Sequence, residues 1–270
     1  MGIAFLLGCA APFTAPDGTE FKLYPGLHKQ FLEPVWHFTL SDLLNSLQAE
    51  KLDAICVEIS PSDYRRSLEG IYPPEAAAVS ELFDQTISVI PADWRAPHRE
   101  YKSQSAATKS LIANLKASFD KNLSQSPSRM QFALSAEGEA QIKEMHEAII
   151  ARDGQEADGF WVTRNEKIVE NCLKASLDRH FHRIGIVFGV DHLYIIKSAL
   201  VARGYRVSYG SLRATNDDLI SSSVAQRWRQ NLSALRDMRE SSDSMVELID
   251  DSGRIQDLEA FIQHAKKSPP

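Results

Sequence analysis

The stretch IGIVFGVDHLYIIKSALVARGYRV, Ile184 to Val207, decides the fold. Ile184 to Phe188 is an unbroken apolar run of strand length, Gly189 lets the backbone turn, and Leu193 to Arg203 has helical periodicity. Gly204 suits a left-handed helix stop, and Tyr205 to Tyr209 reads as the next strand. A helix between two apolar strands is what a parallel pair requires, since its connection must travel back along the sheet. Upstream, Thr163 and Glu166 have capping-box spacing, and Ile168, Val169, Cys172, Leu173 and Leu177 form one apolar helix face. The pattern repeats earlier in the chain. Ser41 reads as the N-cap of a helix carrying Leu43, Leu44 and Leu47, which feeds the strand Ala54 to Ile59; Pro73 and Pro74 open a second helix, which leads to the strand Ile87 to Ile90. Ile3 to Leu7, bounded by Gly8 and the turn-rich run to Gly18, reads as the first strand. Together these predict an α/β fold, a mainly parallel central sheet flanked by helices.

The rhythm breaks twice. From about Tyr101 to Asp158 polar helical stretches replace strands, with Leu111, Ile112, Leu115 and then Ile142, Met145, Ile149 at helical spacing and Ser124 to Ser128 as a turn. This predicts a helical insertion, either a cap over a site or a hairpin covering the sheet. After Gly210, AQRWRQNLSALRDM and DLEAFIQHAK predict two amphipathic helices. The expected organisation is one α/β core over 1–210, with the insertion at 101–158, and a helical extension over 211–270. Trp228 within that extension either anchors it to the core or offers a protein partner a contact.

Composition narrows the function classes. With 30 Lys and Arg against 36 Asp and Glu among 270 residues, the chain has no electrostatic reason to bind nucleic acid. Its three cysteines, Cys9, Cys56 and Cys172, have no metal-binding or framework spacing, so neither disulfides nor a cysteine zinc site is expected, and a reducing, cytoplasmic setting is. FLLGCAAP resembles a lipoprotein cleavage site, but the preceding run is short and lacks Lys or Arg, so no signal peptide is expected. No run approaches the roughly 18 apolar residues of a membrane span, so no membrane partner is expected.

Ligands of parallel sheets collect beyond the carboxyl ends of the strands. Glu58, Asp93 and His192 fall there, and two strand-end acids with an imidazole suit either an acid and base pair or a divalent cation. Glu58 alternatively does no more than pair with Arg65 or Arg66. His192 stands at a helix N-terminus, where the dipole disfavours imidazolium; packing is the alternative reading. PADWRAPHREY clusters Asp93, Arg95, His98 and Glu100 after a strand, a set suited to an anionic group or simply to a solvated loop.

DAICVEISPSDYRRSL, Asp53 to Leu68, resembles the strand-plus-arginine segment of the TraB, GumN and Tiki group, a distant relation of the ChaN and erythromycin esterase proteins. VTRNEKIVENCLKA followed by VFGVDHLYIIKSALVARGYRV is similar to that group's later helix, strand, GxxH turn and helix. The resemblance implies a site of strand-end carboxylates and histidines and, in the Tiki branch, metal-dependent peptidase activity. On this sequence it makes Glu58 the strand-end acid, Arg65 or Arg66 the following arginine, Arg164 and Asn165 the helix-start pair, and His192 the second GxxH histidine. The group's first histidine follows the first strand, where this sequence reads Gly8-Cys9-Ala10-Ala11, so Ala11 stands in its place; Cys9, His28 or His37 would have to substitute. The expected function is hydrolysis of a peptide, ester or amide bond, with Glu58 and His192 activating water, with or without a divalent metal, and Arg164 steadying negative charge. The alternatives are a binding protein that holds an anionic small molecule with Arg95, Arg164 and His192, and a partner-binding protein using the insertion and tail.

Overall fold

The computed structural model describes residues 18–65, 73–97, 100–213, 220–241 and 245–267. The stretch expected as the first strand, Ile3 to Leu7, lies outside them. The first described strand is β1 (Glu20–Gly26), followed by a 3-10 turn at His28–Leu32. Then come α1 (Leu40–Ala49), β2 (Ala54–Val57), the short α2 (Pro61–Arg65), α3 (Pro74–Phe83) and β3 (Ser88–Pro91). The insertion is helical throughout its main elements, α4 (Ala106–Gln125), α5 (Arg129–Ala133), α6 (Ala136–Asp153) and a 3-10 turn at Gln155–Asp158. The core resumes with α7 (Trp161–Asp178), β4 (Arg183–Gly189), α8 (Val190–Ala202) and β5 (Arg206–Tyr209), and α9 (Ser222–Ser241) and α10 (Met245–Lys267) follow.

The five strands form one parallel sheet in the order β3-β2-β4-β1-β5. Right-handed crossovers place helices according to the direction of travel across the sheet. The connections from β1 to β2 and from β2 to β3 run one way, and α1 and α3 pack on one face around Tyr24, Ile55, Val57 and Val187. Those from β3 to β4 and from β4 to β5 run back, and α7 and α8 cover the other face around Leu23, Cys56, Ile186 and Phe188. The neighbours β1 and β4 therefore send their chains in opposite directions. Their carboxyl ends form the topological switch point, the place where such sheets bind ligands.

Two expectations about helix starts are corrected. The cap of α1 is Thr39, not Ser41: Thr39 and Asp42 form a reciprocal capping box. Helix α7 starts at Trp161, so Thr163 and Glu166 are not its capping box; Gly159 and Phe160, both left-handed at φ 59° and 58°, turn the chain into the helix instead. Gly204 does take the left-handed conformation expected at the end of α8, at φ 84°.

The expectation of no disulfide is also corrected. Cys56 of β2 and Cys172 of α7 are bonded, with Cα atoms 5.9 Å apart, and both are buried. Sequence separation of 116 residues hid a pairing that the packing of α7 on the sheet creates. Trp228 of α9 is fully buried and donates its indole N–H to Pro74 O at 2.9 Å. With Leu235, Leu258 and Phe261 it completes the core of the α1 and α3 face. No helix among the described residues is long and apolar enough to cross a membrane.

Candidate active site

The carboxyl ends of β1, β2, β3 and β4 bring residues from distant parts of the sequence into one cluster. Glu58 follows β2, and both its oxygens are engaged: Oε1 accepts from Arg164 Nη2 at 3.0 Å, and Oε2 accepts from the Gly189 backbone N–H at 2.9 Å. Arg164, in the first turn of α7, also reaches Asp93 beyond β3, through Nε at 2.9 Å and Nη2 at 3.0 Å. Arg95 adds a contact to Asp93 at 3.2 Å. Burial alone would raise the Asp93 carboxyl, but Arg164 and Arg95 hold it below the ordinary carboxylate range. Burial opposes the charge on Arg164, but Asp93 and Glu58 outweigh it and keep the guanidinium firmly charged.

His192 lies in the first turn of α8, buried, with Nε2 4.0 Å from Glu58 Oε1. Its Nδ1 is 2.8 Å from Asn165 Oδ1, while Asn165 Nδ2 donates to Trp161 O at 2.8 Å. That second bond fixes the amide, so the network assigns the imidazole proton to Nδ1 and leaves the Nε2 lone pair facing Glu58. Burial, then the positive charge of Arg164, push the His192 pKa well below its ordinary value, so the ring is neutral.

His28, just beyond β1, approaches the other side of the same carboxylate. Its Nε2 is 3.9 Å from Glu58 Oε2, and its Nδ1 lies 2.8 Å from Oε1 of the buried Glu75, which opens α3. Burial lowers its pKa, yet Glu75 and Glu58 together outweigh burial and raise it to about 9. His28 holds a left-handed φ of 51°, unusual for a residue with a side chain and common where function fixes geometry. Two glycines make room for this grouping. They face each other in register at the ends of β1 and β4: a Cβ on Gly26 would lie 2.5 Å from Glu75 Oε1, and one on Gly189 would lie 3.0 Å from His28 Nε2.

Of the residues singled out in the sequence, Glu58, Asp93, Arg95, Arg164, Asn165 and His192 come together here. Glu58 pairs with Arg164. Arg65 ends α2 without a described side chain, and Arg66, His98, Cys9 and Ala11 lie outside the described residues. His37 is exposed and takes no part. His28, which stands two residues beyond the end of the first described strand, Glu20–Gly26, also belongs to the cluster. Glu75 had no distinguishing signal in the sequence beyond its place at a proline-opened helix. Cleft volume does not mark the cluster either; a cleft of about 560 Å³ lies between α1 and α3, and none of these residues lines it.

Among the described residues, no group of three or more His, Cys, Asp or Glu side chains is arranged to hold a metal ion. Glu58 already accepts from a guanidinium 3.0 Å away, a fixed positive charge that opposes a second cation at the same oxygen. The arrangement instead resembles an acid and base pair, two imidazoles driven to opposite protonation states across one carboxylate. Comparisons with protein-family models, curated proteins and solved structures found no match to this chain.

Proposed function

We propose that the protein is a hydrolase of ester, amide or peptide bonds in which His192 is the general base and His28 the general acid. The observation that carries this reading is the pair of histidines flanking Glu58, one neutral with its Nε2 4.0 Å from Glu58 Oε1, the other cationic through Glu75. Two acceptors about 4.0 Å apart, His192 Nε2 and Glu58 Oε1, suit a water that donates one hydrogen to each. His192 takes one proton as the water oxygen attacks the carbonyl carbon. His28 then gives its Nε2 proton to the departing alkoxide or amine, and transfer between the imidazoles through solvent restores both.

Arg164 acts through Glu58 in this reading. Its guanidinium is engaged by Glu58 and Asp93, so in this mechanism it orients Glu58 instead of contacting the developing oxyanion. The same engagement, with Arg95 also on Asp93, weakens the reading of an anion-binding protein built on those two arginines. The resemblance to the TraB, GumN and Tiki group supports hydrolysis; the occupied donors favour a route that needs no metal. The Cys56–Cys172 bridge favours an oxidising setting over the cytoplasmic one suggested by cysteine spacing.

A panel of chromogenic esters, anilides and fluorogenic peptides tests the reading with the full chain. Expected is turnover of at least one class, lowered by about 10²–10⁴-fold in kcat/KM by His192→Ala and by His28→Gln. No turnover across the panel, or a folded His192→Ala chain at wild-type rate, overturns it.

A further inference from the structure

We propose that His146 and Trp161 are positioning residues, a ring stack through which the helical insertion sets the plane of His192. This inference rests on the reading of His192 as the base. The indole of Trp161, the first residue of α7, lies between two imidazoles: His192 on one side at 4.3 Å between centroids and 28° between planes, His146 on the other at 3.6 Å and 5°. Trp161 is itself fixed at its edge, where Nε1–H donates to Tyr194 Oη at 3.1 Å. His146 comes from α6, and its Nδ1 lies 3.0 Å from Asp158 Oδ2, in the last turn of the insertion. The left-handed residues Gly159 and Phe160 then turn the chain and deliver Trp161 into the gap between the rings.

A hydrogen bond to Asn165 fixes one atom of the His192 ring but leaves rotation about that bond; a flat surface against its face removes the remaining freedom. Phe188 meets the same ring edge-on at 6.0 Å and 71°, so it does not supply that surface. An insertion serving only to cover the sheet would need no stacking of His146 on Trp161. The alignment from Asp158 through His146 and Trp161 makes the insertion part of the site.

The test reads the His192 ring directly and then the reaction. In the full chain, the His192 ring protons are expected to show the ring-current shift of a stacked indole. His146→Ala, which keeps Trp161, should reduce that shift and lower kcat about tenfold with KM nearly unchanged, the effect of a small misalignment. His146→Phe should restore both, because it rebuilds the flat surface without the bond to Asp158. Unchanged His192 shifts in folded His146→Ala overturn the positioning role, whatever the activity. Shifts that move and are rescued by His146→Phe support that role even if no substrate is turned over, in which case only the hydrolase reading fails.

Discussion

A methyl group at Gly189 would approach His28 Nε2 to 3.0 Å and Glu58 Oε2 to 3.5 Å, in a rim already filled by two imidazoles and three carboxylates. Gly189→Ala is therefore expected to keep the fold, cost about 1–3 kcal/mol in urea unfolding, and displace His28. Arg164→Met has a larger effect, since it leaves Glu58 and Asp93 buried together without their shared cation; a loss of about 3–5 kcal/mol is expected by the same measurement. His28 makes stability depend on pH in a stated direction. Its folded value of about 9 stands above the ordinary 6.5. Its contribution is thus complete below about pH 6.5 and is lost as pH rises through 9. Unfolding measured from pH 6 to 10 should show wild type losing stability across that window, with His28→Gln losing less.

Among elements, legibility followed burial on both faces. β2, β3 and β4 read as apolar runs because helices cover both sides of the sheet, and the helix starting after Gly189 was plain from its periodicity. β1 escaped notice for the converse reason. Glu20 and Lys22 alternate with Phe21 and Leu23, and Pro25 argues against a central strand; it is tolerated because the pairing with β5 ends at Leu23, before Pro25 is reached. Glu58, Arg164 and His192 are legible because they adjoin clear apolar runs or helix starts, whereas His28 follows a strand whose pattern is mixed. The disulfide was equally hidden, since only the packing of α7 on β2 brings Cys56 to Cys172. It joins the elements that carry Glu58, Arg164 and Asn165. With three cysteines in the chain, denaturing thiol titration should find one free thiol, and reduction should lower stability by about 2–4 kcal/mol.

At the scale of the molecule, the helices after Gly210 are structural members. Trp228, Leu235, Leu258 and Phe261 stand in the same core as α1 and α3, so the extension anchors itself and Trp228 is not offered to a partner. Trp228→Ala is expected to cost about 3–5 kcal/mol, and a chain cut at Gly210 should lose cooperative unfolding altogether. The order of the sequence adds a temporal side to this arrangement. During synthesis, α1 and α3 leave the ribosome long before the segment holding Trp228 to Phe261, and their apolar surface must wait bare until that segment arrives. Slow translation, or too little chaperone, should therefore divert the nascent chain into aggregates even when the finished protein is stable.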